Sequence, residues 1–416
     1  MEIALSRVTS ISNVVLLWAL SLPCATWRCI DAFQHVPVIR HIHASSNDAA
    51  RRQLQHVVPM MISGGEGIPR RHVLQAPLLL LGTGQVATGT EKANALELDL
   101  MGESDKGERL TVPLAWIPKL SAYVVYYSIG GEKFGAVVDT GSPFLVVPNY
   151  CNRRAYGCFK EADSRPSGLA STWERFDNNE GEVEWRKARF SFINATTDSS
   201  MMGPPEMVFG VLSESLMDGS GGVFFGLIRD TDNWIRPSFL GQTNVRALEI
   251  NLQDNKSLTL YTRSPIRDDN SPQADYIPLV RDLNRKYGDP VIHYTAKALA
   301  IQANGNSILK PNDRTPIYVI FDTGVTGMVL SQELFDERYA MARASREKSL
   351  WGTVNVSFLT KEGHTVSLEA QKPVTTPLAN KPWPKFKNAH LIVLGLAFLD
   401  GHTMTIDMDN QKLQIL

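Results

Sequence analysis

From Leu110 to the end of the chain, short apolar runs alternate with clusters of Gly, Pro, Asn and Asp. That spacing predicts strands and turns rather than long helices. Leu110-Thr111-Val112-Pro113-Leu114 has strand character. Tyr123 to Ile129 is a β-rich run stopped by Gly130-Gly131 and resumed by Phe134 to Val138, which predicts a hairpin ending on Asp139. Val146-Val147-Pro148 continues the apolar pattern, so Thr140-Gly141-Ser142 is expected to form a tight loop between strands. Gly141 there permits a backbone that a side chain would forbid. Arg189 to Ile193, Ala247 to Leu252 and Leu258 to Tyr261 are further strand candidates, and Asn178 to Glu182 reads as the tip of another hairpin.

The plan then returns. Tyr294 to Ile301 is strand-like, Ile317 to Phe321 leads into Asp322, and Met328-Val329-Leu330 follows. Ser331 to Arg346 predicts a helix with Ser331 as its N-cap. Val354 to Phe358 and Val366 to Leu368 alternate as strands do, and Met404 to Ile415 predicts a closing hairpin turned at Asp409-Asn410. Each half holds Asp-Thr-Gly first, at Asp139-Thr140-Gly141 and Asp322-Thr323-Gly324. Each later holds an apolar pair before a glycine, at Phe224-Phe225-Gly226 and Val393-Leu394-Gly395. A diverged internal duplication of mainly β structure accounts for both. Thr262 to Ala274, rich in Pro, Asp, Asn and Ser, marks the boundary. The expected units are an N-terminal β lobe over 96–262, a linker over 263–274 and a C-terminal β lobe over 275–416.

Composition separates off the first 95 residues. The whole chain has a net charge of −1, but that leader carries eight basic and five acidic side chains and five of the nine histidines. The body is left slightly acidic, which gives no global attraction to nucleic acid or a membrane surface. Val14 to Leu22 is an apolar core too short to span a bilayer, and 1–32 reads as a signal peptide. From Phe33 the chain is basic, rich in Ser and His, and poor in acids, like a transit peptide. Arg70-Arg71, the apolar run from Val73 to Gly82 and Ala93-Asn94-Ala95 resemble a twin-arginine export signal. Residues 33–95 are therefore expected to address the protein to a plastid thylakoid lumen, with maturation near Leu96. The alternative is an inhibitory prosegment of a secreted or vacuolar protein.

The chemistry expected of the body lies in the two repeated aspartates. Asp139 and Asp322 each close an apolar strand and open a small-residue loop, and they are expected to meet across a cleft and share a proton. Cys151 and Cys158 are spaced for a small closed loop, either a disulfide in an oxidising compartment or two buried thiols. Three Asn-x-Ser/Thr sites begin at Asn194, Asn255 and Asn355. His293, His364, His390 and His402 are scattered and form no motif.

These features resemble the pepsin-like aspartic peptidases, over essentially all of residues 110–416. The resemblance rests on the paired motifs at Asp139 and Asp322, the late glycines Gly226 and Gly395, the segment from Val393 to Leu416, and the short cysteine loop after the first motif. It implies a mainly β, bilobal acid-protease fold with the active site between two related lobes. It implies an endopeptidase in which Asp139 and Asp322 activate water, supported by Thr140, Gly141, Ser142, Thr323 and Gly324. Neither metal nor cofactor is implied. The expected partners are polypeptide substrates, with no nucleic acid, no stable membrane span and a monomeric state. The alternative is a catalytically impaired binding or inhibitor protein on the same fold.

Three departures from the family pattern stand out. Val146 occupies the position where a tryptophan usually follows the first motif. The flap tyrosine is missing, since alignment on a tip around Gly181 places Asn178 there, with Phe176 the nearest aromatic. Val325 replaces the hydroxyl after the second Asp-Thr-Gly, while Ser142 is kept after the first. Removing a donor from a carboxylate raises its pKa, so the activity is expected to be optimal at a less acidic pH than in gastric-type relatives.

Overall fold

The apolar runs become strands, and among the described residues the strands assemble into four sheets. The structure is a computed structural model that describes residues 109–149, 157–160, 164–176, 179–193, 200–201, 206–212, 224–233, 235–266, 275–310, 313–378, 382–383 and 385–416. The leader, Cys151, Asn178 and the acceptor site at Asn194 lie outside the described residues. Among the described residues, helix is limited to Asp282–Tyr287, Gln332–Ala344, Leu396–Leu399 and the 3-10 turn Leu240–Gln242, and the fold is mainly β. No helix among them is long and apolar enough to cross a membrane.

The first hairpin forms as its sequence dictates. Ala122–Ile129 pairs antiparallel with Glu132–Asp139, Ile129 opposite Glu132. Gly130 and Gly131 turn the chain with φ of 56° and 81°, the left-handed pair that a two-residue hairpin loop requires. Its sheet runs Ser200–Met201, Phe190–Ile193, Ala122–Ile129, Glu132–Asp139, Phe224–Gly226. Tyr127, Phe190, Phe192, Phe225 and Phe239 interlock behind it, with ring centroids 4.5 Å apart for Phe225 and Phe239. That aromatic mass holds the strand that delivers Asp139 rigid.

In the second half, the largest sheet orders Thr365–Gln371, Thr353–Leu359, Thr295–Ala303, Ile317–Phe321, His390–Leu394, Met328–Ser331 and Thr375–Leu378. All five residues of Ile317–Phe321 are buried, as expected for a strand with neighbours on both edges and cover on both faces. A third sheet brings together the first and last of the described strands. Arg109–Pro113, Ser257–Tyr261, Ala247–Asn251, Thr403–Asp407, Lys412–Ile415 and Ile277–Pro278 lie side by side in that order. It takes strands from both sides of 263–274, so one hydrophobic core runs from Val125 and Phe225 through Leu248 and Ile406 to Phe321 and Leu394.

Two local expectations are corrected. Ser331 begins the helix Gln332–Ala344 but makes no side-chain cap. Its hydroxyl is taken by the neighbouring strand instead, accepting the Leu391 N–H at 2.7 Å. The second concerns the hairpin of Thr172–Phe176 and Asn179–Ala188, part of the fourth sheet with Met207–Leu212 and Val146–Pro148. Its ladder runs up to Phe176 opposite Asn179, so Gly181 faces Glu174 inside a strand and is not at the tip. Buried Val183 and Trp185 set that register against Val211, Leu212 and Gly210, and the pairing continues past the glycine.

Candidate active site

The two Asp-Thr-Gly loops meet, and each holds the other. Thr140 Oγ1 donates to the Phe321 carbonyl at 2.8 Å and accepts the Thr323 N–H at 3.0 Å. Thr323 Oγ1 donates to the Val138 carbonyl at 2.7 Å and accepts the Thr140 N–H at 3.2 Å. All four bonds are buried, so each hydroxyl satisfies a donor and an acceptor that would otherwise be orphaned. Only a small hydroxyl residue directly after the aspartate can do both.

This reciprocal grip brings the carboxylates together. Gly141 donates its N–H to Asp139 Oδ1 at 2.8 Å, and Gly324 donates to Asp322 Oδ1 at the same distance. Each glycine also lies against the opposite carboxyl. A Cβ on Gly324 would lie 2.7 Å from Asp139 Cγ, and one on Gly141 would overlap Asp322. Glycine is required at both positions for this close approach.

The later glycines serve the same loops. Gly226 pairs beside Asp139 in a parallel ladder and donates its N–H to the Phe144 carbonyl at 3.0 Å. Gly395 follows Leu394, which pairs beside Phe321, and donates to the Gly327 carbonyl at 2.9 Å. Phe144 and Gly327 each stand five residues after their aspartate. A Cβ on Gly226 would lie 2.5 Å from Phe144 N, and one on Gly395 would overlap the Val325 carbonyl. Thus both apolar-apolar-Gly segments let the chain pass directly under an Asp-Thr-Gly loop.

Electrostatics couple the two acids. Asp139 is 5% exposed and Asp322 8%, and burial is the largest cause raising the pKa of each. For Asp322 the charge of Asp139 and a hydrogen bond with it push further in the same direction, and its carboxyl stands well above the ordinary range. Asp139 is raised too, but the Ser142 hydroxyl, Asp322 and the Gly141 N–H favour its anion. Ser142 Oγ is buried and makes no full hydrogen bond, so its effect on Asp139 is that of a nearby dipole. Around Asp322 the counteracting groups are the backbone N–H groups of Gly324 and Val325. Two buried carboxyls in hydrogen-bond contact hold one proton between them over a wide pH range. Such a pair can take a proton from water with one member and give a proton to a developing oxyanion with the other.

The hairpin residues divide. Phe176 and Gly181 lie in its two strands, and Asn178 lies outside the described residues. The hairpin meets the first loop through residues that the sequence pattern did not single out. Trp185 stands edge-on to Phe144, centroids 5.2 Å apart, and donates its indole N–H to Thr172 Oγ1 at 2.9 Å. Val146, Phe144, Val183, Trp185 and Leu212 form one apolar cluster. An indole therefore fills the space beside Val146, supplied from two strands away in the same sheet. The alternation of Val183 and Trp185 would have exposed that face, had the register been known. Cys158 is disulfide-bonded.

Behind the second motif, His293 and Asp289 are buried together, Nε2 to Oδ2 3.4 Å. Burial lowers His293 to about 3 and raises Asp289 well above its ordinary value, so the neutral form of each is favoured. No protein-family model matches the chain, and no curated protein matches it.

Proposed function

We propose that the chain is an aspartic endopeptidase of pepsin-like architecture, in which one β lobe supplies Asp139 and the other Asp322. The observation that carries this reading is the reciprocal Thr140–Thr323 grip with two buried, coupled carboxyls set against Gly141 and Gly324. A fold that needed only two buried turn-capping aspartates would have no reason to press them together, since like charges at contact destabilise the folded state.

The mechanism follows from the shared proton. The ionised member, favoured at Asp139 by Ser142 and Gly141, accepts a proton from a water lying between the carboxyls. The hydroxide so formed attacks the peptide carbonyl carbon. Asp322, held protonated by burial and by the charge of Asp139, donates toward the carbonyl oxygen as negative charge develops there. Collapse of the tetrahedral intermediate returns a proton to the leaving amine and breaks the C–N bond. The raised position of Asp322 supports activity extending to less acidic pH, because the proton that the mechanism needs is retained longer.

Cleavage of denatured protein tests the reading. The wild type is expected to cleave and to be blocked by pepstatin-type transition-state mimics, while Asp139→Asn and Asp322→Asn are inactive. Cleavage at the wild-type rate by both variants would sink it. The leader reading stands as a companion proposal, delivery to a thylakoid lumen with a mature N-terminus near Leu96. Sequencing that terminus from native material tests it, and a terminus far from Leu96 would contradict it.

A further inference from the structure

The strand Thr172–Phe176 carries an acid for which the dyad chemistry has no use. Glu174 is 8% exposed and faces Gly181, which has no side chain to lay over it. Burial pushes its carboxyl up to about 7, against a hydrogen bond with Thr172 and the field of Arg236. Thr172, two residues earlier on the same face, also accepts the Trp185 indole N–H, and Trp185 stands against Phe144. Phe144 in turn accepts the N–H of Gly226, which pairs beside Asp139. The face bearing Glu174 therefore looks onto the loop that carries Asp139.

A buried carboxylate is costly unless a cation compensates it. Among the described residues none makes an ion pair with Glu174. Arg236 acts at a distance, its Nη2 donated to the Ala170 carbonyl at 2.7 Å and its Nε buried without a partner. The inner face of the hairpin offers Thr172, Gly181, Val183 and Trp185, all uncharged. The fold places an acid beside the dyad loop and gives it only the distant charge of Arg236.

We propose that Glu174 is a specificity-determining residue, whose carboxylate receives the ammonium or guanidinium of a lysine or arginine side chain in a polypeptide bound beneath the hairpin. This rests on the proteolytic reading above. A basic side chain supplies a contacting positive charge, which distant Arg236 does not, as it is itself desolvated. An uncharged chain of equal length leaves the acid to take up a proton instead.

The test uses peptide pairs differing only in lysine or norleucine, the substitution walked one position at a time across a cleaved sequence. Binding to full-length Asp139→Asn protein is measured by calorimetry at about pH 8, where the free carboxyl is ionised, so that no turnover is needed. At one position lysine is expected to bind about tenfold tighter than norleucine. Adding Glu174→Gln abolishes that ratio, adding Glu174→Asp retains part of it, and adding Glu182→Gln on the outer face leaves it intact. No lysine advantage at any position, or an advantage that survives Glu174→Gln, overturns the proposal. Failure of the proteolytic reading looks different: lysine peptides bind through Glu174, yet the wild type cleaves none of them.

Discussion

Around Asp139 the anion is favoured by a backbone N–H from Gly141 and by the Ser142 hydroxyl; around Asp322 Ser142 has no counterpart, and Val325 turns instead toward the apolar cluster of Ile320, Val329 and Trp383. The scaffolding of the two loops is otherwise the same. Each has a threonine reaching across to the other, a glycine N–H on its own carboxylate and a later glycine beneath it. The difference is therefore electrostatic rather than architectural. The repeated scaffold sets two like acids in one place, and Asp322, which faces the charge of Asp139 and has no hydroxyl acting on it, is the more strongly raised.

The largest test of this comparison removes one carboxylate at a time. Asp139→Asn and Asp322→Asn are each expected to lower kcat by about 10⁴-fold or more, and the double variant to be little worse, because the pair acts as a unit. Rates on a denatured protein substrate check this. A tenfold loss from either variant would mean that one aspartate suffices.

Gly141→Ala and Gly324→Ala come next. The Cβ on Gly324 would sit 2.7 Å from Asp139 Cγ, and that on Gly141 closer still to Asp322. A displaced carboxylate costs about 10²-fold in kcat, and Gly141→Ala is expected to be the more damaging. Equal effects would say that the two close approaches are equally tolerant.

Thr140→Val and Thr323→Val break the grip. Each leaves a buried carbonyl and a buried N–H without a partner, so urea unfolding should show about 1–3 kcal/mol of lost stability per orphaned group. The double variant should lose less than the sum, since each threonine accepts the other's N–H. Strict additivity would mean that the two hydroxyls do not cooperate.

The smallest effect isolates the asymmetry. Val325→Ser restores a donor to the Asp322 anion, lowers its pKa and moves the alkaline limb of the kcat/KM profile to lower pH. Ser142→Ala removes a donor from the Asp139 anion, raises its pKa and moves the acid limb to higher pH. Activity spans the interval between those limbs, so both variants narrow it from opposite sides. Unmoved limbs would show that burial alone sets the pair.

Much of this was legible from the chain because it is local. Asp139-Thr140-Gly141, its repeat at Asp322 and the glycines Gly226 and Gly395 each sit at the end of an apolar strand, where short-range pattern is most informative. Gly130-Gly131 likewise announced its turn. The contribution of the hairpin was not legible, because it depends on which residues of two strands face each other. Gly181 looked like a tip residue in a polar stretch, but the register is set further along by Val183 and Trp185. One consequence is that Trp185 sits beside Val146, a contact made across the intervening strand Met207–Leu212 of one sheet. Another is that Glu174 is buried. Ser331 shows the same limit, since its hydroxyl was claimed by Leu391, sixty residues on.

Carbon-13 NMR titration of the aspartate carboxyls, comparing wild type with Asp139→Asn, tests the shared proton most directly. In the wild type two coupled steps are expected, with the upper one well above the ordinary carboxylate range. In Asp139→Asn the coupled pair should collapse to a single step at lower pH, because the charge of Asp139 no longer opposes ionisation of Asp322. Two independent titrations near the ordinary value in the wild type, or an Asp322 step unmoved by the substitution, would contradict it.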